Sequence, residues 1–142
     1  MQFKPETCDY TEHGRKLVHD YLKLTLSSRI ADLMRFFEKS ESVEFNDNRI
    51  SLFAAQNGQC AITRNILKSF NFHCHHKIPR QMGGDDSYQN LIIVSITVHR
   101  LIHAVNEETI QKLLAELNLN KEQISKVNKL RELCNLDQLK VA

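Results

Sequence analysis

Apolar positions recur at helical spacing over the first third of the chain. Leu17, Tyr21 and Leu24 follow the turn-like Thr11-Glu12-His13-Gly14, and their spacing predicts a helix. A second helix is predicted from about Ser28, with Ile30, Leu33, Met34 and Phe37 on one face. The stretch from Glu38 to Asn48 is polar and rich in cap-forming residues, so it reads as a linker. Asn48 would then cap a short helix through Ile50, Leu52, Phe53 and Ala54, ended by Gly58. From Asn71 the period changes. Phe72 to Ile78 partly alternates and stops at Pro79, which predicts a strand, and Asn90 to Val94 predicts a second, apolar one. Between them Gln81 to Ser87 is a loop, with Gly83-Gly84 as its strongest breaker. A helix is expected from Thr97 to about Val105, with Leu101 and Ile102 available for the core. Amphipathic helices follow over 107–117 and 121–134. Asn106 and Asn120 suit N-caps, and Asn120 with Gln123 has the pattern of a capping box. Two short strands among helices give an α+β fold.

Of the 142 residues, 42% are apolar and 25% charged, enough to bury a core and too few charges for wholesale disorder. No window reaches 18 uninterrupted apolar residues, so a membrane span is not expected. MQFKPETCDYTEHGRK lacks the apolar stretch of a secretory signal, and four cysteines without one do not suggest a disulfide framework. A reducing, cytoplasmic location is expected. Cys60 and Cys74 read as small buried hydrophobes, and Phe36, Phe37, Phe53, Phe70 and Phe72 as core. His13 and His19 read as surface residues. The net charge of +2 is uninformative until it is divided along the chain. Residues 60–103 carry five Lys/Arg against Asp85 and Asp86, and five of the seven histidines. A basic excess around clustered histidines fits a polyanionic substrate.

The chemistry is concentrated in His75-His76, Asn90 and His99-x-x-x-His103. Residues four apart on a helix share a face, about 5–6 Å apart at Cβ, so His99 and His103 can grip one ion. A histidine from the strand would complete three protein ligands and leave positions open, the pattern of a catalytic metal. His75 and His76 are strand neighbours and point to opposite faces. One of them can ligate while the other handles a proton. His73, on the side of His75, reads as a supporting histidine rather than a fourth ligand.

These residues, in the order strand, Gly-Gly loop, strand, helix, resemble the ββα-metal element of the HNH endonucleases. More narrowly, the chain is similar to the C-terminal endonuclease region of bacterial group II intron-encoded reverse transcriptase/maturases. The likeness runs through Asn48-Arg-Ile-Ser-Leu-Phe53, Gly58-Gln-Cys-Ala-Ile-Thr63, His73-Cys-His-His-Lys-Ile-Pro-Arg80 and Gly83-Gly84-Asp85. It continues through Tyr88-Gln-Asn-Leu-Ile-Ile93, His99-Arg-Leu-Ile-His-Ala104, Asn106-Glu-Glu-Thr-Ile110 and Lys126-Val-Asn-Lys-Leu-Arg131. Residues 1–45 resemble the connection from maturase to nuclease, and 46–142 the HNH domain with C-terminal helices.

The resemblance implies His75, His99 and His103 as metal ligands and His76 as the general base that activates water. It implies that Asn90 holds the loop between the strands and so orients His76. It implies one divalent ion, usually Mg²⁺. Three imidazoles are not the oxygen-rich set Mg²⁺ prefers, so Mn²⁺, Zn²⁺ or Ni²⁺ also suit the site. Lys77, Arg80 and Arg100 flank these residues as candidate phosphate contacts. DNA is the implied substrate, in group II intron mobility, with intron RNA or a reverse-transcriptase domain as further partners. Thr63, Ser95 and Val98 stand where many HNH proteins carry cysteine pairs, so a four-cysteine zinc site is not expected. Arg64 stands where the resembling proteins carry glycine, which bears on the local turn. Two alternatives stay open: a non-catalytic, metal-stapled nucleic-acid-binding module, and an HNH nuclease of a toxin or phage system.

Overall fold

A computed structural model of the chain describes residues 26–35, 38–68 and 71–140. The chain divides into two compact units, Met1–Phe37 and Glu38–Ala142. In the first, residues 26–35 are helical, with Leu33 buried and Ile30 half-buried. Met34, expected on the apolar face, is 65% exposed. The predicted helix through Leu17 and Leu24, the segment around His13 and His19, and Phe36, Phe37 and Phe70 lie outside the described residues.

The second unit is α+β. It runs α1 (Val43–Ala55), β1 (Phe72–His76), β2 (Leu91–Ser95), α2 (Ile96–His103), α3 (Glu107–Leu117) and α4 (Lys121–Leu133). The expected linker is a correction. Val43 to Asn48 is the first half of α1, and Ser42 rather than Asn48 is its N-cap, accepting from the Phe45 N–H. The expected helix through Ile50, Leu52, Phe53 and Ala54 is its second half; periodicity hid the first half because a polar residue, Asn46, is buried there. Asn46 is satisfied by the Glu38 backbone and the Ser42 carbonyl, and Arg49 pairs with Glu38 at 2.9 Å. This unit begins at Glu38, and α1 runs across residue 45.

β1 and β2 pair antiparallel, with Cys74 opposite Ile93 and His76 opposite Leu91. The chain passes from β2 into α2 without a loop because Ser95 caps the helix, accepting from the Val98 N–H at 3.2 Å. α2 packs against both strands, α1 against β2, and α3 and α4 against α2. Phe53, Ile93, Val94, Val98, Leu101 and Ile102 are buried at the centre. Cys60 and Cys74 are buried, and Phe72 is half-buried. Asn106 and Asn120 cap α3 and α4, and Asn120 forms the expected capping box with Gln123. Among the described residues no helix is long and apolar enough to cross a membrane.

Candidate metal centre and the histidine beside it

Alternation along β1 turns His73 and His75 toward α2, where His99 and His103 sit one turn apart. The His75 ring lies 5.3 Å from His99 and 5.1 Å from His103, centroid to centroid, and the latter two lie 4.6 Å apart. His75 is 2% exposed, and its Nε2 is buried without a hydrogen-bond partner. Such an atom costs about 1–3 kcal/mol unless something satisfies it. A cation among neutral imidazoles does so, and the residues therefore fit a metal ion.

The electrostatics point the same way. Burial, then the neighbouring histidines His99 and His103, holds His75 down at about 3. Burial, then His73 and His103, lowers His99 to about 3 as well. His73 and His103 are also lowered, with burial the largest cause in each. At neutral pH the cluster is uncharged, the form that ligates.

One donor was not legible in the sequence. A ring nitrogen of His75, a ring nitrogen of His103 and Cys134 Sγ all lie within 4.8 Å of one another. His99 is not in that group; its ring stacks on His73 at 3.8 Å and 25°. Cys134 caps the C-terminal end of α4 and is half-buried, and burial pushes its thiol up. It follows His103 by more than thirty residues, with no short motif linking the two. Packing of α4 on α2 alone unites them.

His76 sits on the other face of β1, stacked on Phe45 at 5.5 Å and 12°. Its Nε2 lies 2.8 Å from Asp86 Oδ1. Asp86 is also held by the Ser42 hydroxyl at 2.6 Å and by Arg80 at 3.1 Å. The Ser42 hydrogen bond, then that of His76, holds the Asp86 carboxyl at about 2. An ionised carboxylate only accepts, so Nε2 of His76 carries the proton and Nδ1 is left as the basic nitrogen. Sequence reading missed Asp86, although it stands ten residues past His76 in the Gly-Gly loop.

Asn90 closes that loop. Its Oδ1 accepts from the Ile78 N–H at 2.9 Å, and its Nδ2 donates to the carbonyls of Ile78 at 3.1 Å and Asp85 at 2.8 Å. Gly84 is pressed against the same segment, where an added Cβ would stand 1.7 Å from the Ile78 carbonyl oxygen. By fixing Asp85, Asn90 fixes the residue next to it, which holds His76.

The three basic residues differ in their surroundings. Arg80 is engaged by Glu41 and Asp86. Arg100 is exposed on α2, and the Lys77 N–H donates to the Asn90 carbonyl at 2.7 Å. A cavity of about 220 Å³ opens beside His76, lined among others by Glu41, Phe45, Arg49, His73 and Arg80. Comparisons of the chain with protein-family models, curated proteins and solved structures find no match.

Proposed function

We propose that this chain is a metal-dependent endonuclease of the HNH class, hydrolysing phosphodiester bonds in DNA. The observation that carries the reading is the division of labour on β1. His75 meets His99 and His103 on one face, while His76 is braced by Asp86 on the other. His75, His99 and His103 would hold one divalent ion, Mg²⁺ in function or Mn²⁺, Zn²⁺ or Ni²⁺. When bound, the ion stabilises charge on the scissile phosphate and the departing oxygen. His76 Nδ1 takes a proton from the attacking water as the water oxygen bonds to phosphorus and the ester P–O bond breaks. Asp86 stabilises the imidazolium that forms. Asn90 keeps the loop, and through Asp86 the ring, in place. Lys77 and Arg100 contact flanking phosphates, whereas Arg80 does so only by leaving its carboxylates. The reading extends to group II intron mobility in the cytoplasm, with intron RNA or a reverse-transcriptase domain as further partners.

Incubation of supercoiled plasmid with the chain and Mg²⁺ or Mn²⁺ tests this directly. Wild type should nick the plasmid, and His76→Ala should lose about 10²–10⁴ in rate while keeping the ion. Near-normal nicking by His76→Ala defeats the assignment of the base. The second reading is a metal-stapled nucleic-acid-binding module without hydrolysis. The nearness of Cys134 to His75 and His103 favours it, since four protein donors mark structural sites. DNA binding by wild type without nicking would select it.

A further inference from the structure

We propose that Cys134 is a ligand to the ion at this site, giving a set of three imidazoles and one thiolate. The inference rests on the metal site of the preceding reading and not on hydrolysis. Two independent observations carry it. Cys134 Sγ shares a 4.8 Å sphere of mutual distances with ring nitrogens of His75 and His103. His75, only 2% exposed, brings to the same cluster a buried Nε2 that no protein group satisfies.

The distances suit the chemistry. Around a tetrahedral ion with Zn–N near 2.0–2.1 Å and Zn–S near 2.3 Å, donors sit roughly 3.3–3.6 Å apart. Moves on the order of 1 Å therefore close the three donors onto one ion, and His99, whose ring lies 4.6 Å from that of His103, supplies the fourth vertex. This requires His99 to leave its stack on His73, and the Cys134 thiol to give up its proton and its hydrogen bond to the Lys77 carbonyl at 3.9 Å.

A thiolate changes which ion is held. Sulfur with imidazole selects Zn²⁺ or Co²⁺ over the hard Mg²⁺. It also changes what the ion ties together. Cys134 ends α4, so the ion links that helix to β1 and α2, where the histidines alone would link only β1 and α2. Cys134 is then the residue that decides whether the centre is closed by protein or open.

Co²⁺ absorption of the full chain under reducing conditions reads this out without any assay of cleavage. Wild type should show ligand-field bands of a tetrahedral ion and a sulfur-to-cobalt charge-transfer band in the near ultraviolet. Cys134→Ser should lose the charge-transfer band and keep the ligand-field bands, while Cys60→Ala and Cys74→Ala keep both. Ligand-field bands without charge transfer in wild type would overturn the thiolate and leave the three-imidazole site standing. Persistence of charge transfer in Cys134→Ser would equally overturn it. No cobalt absorption at all would defeat the metal site itself. Should Cys134→Ser not fold, wild type still decides, through the protection of its Cys134 thiol by the ion. Zn²⁺ should slow alkylation of Cys134, followed by peptide mass mapping, and an unchanged rate would refute the proposal.

Discussion

Asn90 is 9% exposed and spends all three of its side-chain hydrogen bonds on the backbone of the loop it closes. Removing them leaves the Ile78 N–H and two carbonyls to find other partners, at a cost of about 1–3 kcal/mol. Asn90→Ala should therefore lower the thermal midpoint and, by loosening Asp86, also slow plasmid nicking. Unchanged values of both would mean that the loop holds itself. Gly84 shows the same crowding from the other side, because any side chain there would enter the Ile78 carbonyl. Arg64 shows the opposite case. The resemblance implies glycine at that place, and Arg64 adopts φ 64°, the left-handed backbone that glycine takes without strain. The turn survives its unusual residue. Single-residue signals of this kind were legible because each reflects a local backbone demand.

At the scale of elements, starts and stops written in short polar side chains were the most readable part of the chain. The capping box of Asn120 and Gln123 and the cap of Asn106 fix α3 and α4 through neighbours three positions away. The first half of α1 was hidden because its burial depends on Asn46 and Arg49 finding partners at Glu38, which no helical period reveals. The contact of α4 with α2 was equally out of reach. Arg131, 3% exposed, ties the two together: its Nη1 donates to the carbonyls of Leu101 at 2.9 Å, Ile102 at 3.3 Å and Ala104 at 2.7 Å. Its Nε donates to the Asp137 carbonyl at 2.7 Å. A guanidinium at the C-terminus of a helix satisfies carbonyls that the helix itself leaves free and opposes its dipole. Arg131→Met keeps the bulk of the stem and strands those carbonyls. It should cost at least about 1.5–3 kcal/mol, the range for hydrogen bonds to a charged group. Because the same contact places Cys134 near His103, the variant should also weaken Co²⁺ binding. A urea midpoint equal to wild type would show that the carbonyls find water instead.

At the scale of the whole molecule, the histidine cluster was readable because His99 and His103 share a helix and His75 lies on the strand packed against it. Cys134 and Asp86 were not, since one comes from the far end of the chain and the other from a loop whose path no periodicity encodes. The assembled cluster makes stability depend on pH in a way its parts would not. His75 and His99 fall from 6.5 to about 3 in the folded chain, chiefly through burial. Between those limits the unfolded chain binds more protons than the folded one, so the metal-free protein gains stability as pH rises. The contribution is complete above about 6.5 and is lost as pH falls toward about 3. Asp86 works in a lower window: its carboxyl drops from 3.8 to about 2, so its contribution is full above 3.8 and disappears as pH falls through about 2. Urea unfolding in the presence of a chelator, from pH 7.5 down to about 4.5, isolates the histidines. It should show stability falling with an uptake on unfolding of about two protons per molecule from His75 and His99, to which the lowered His73 and His103 add. Saturating Zn²⁺ should raise stability most at neutral pH, because ion and protons compete for the same ring nitrogens. A stability that is flat across that range without metal would mean that the rings are hydrated and that no buried cluster exists.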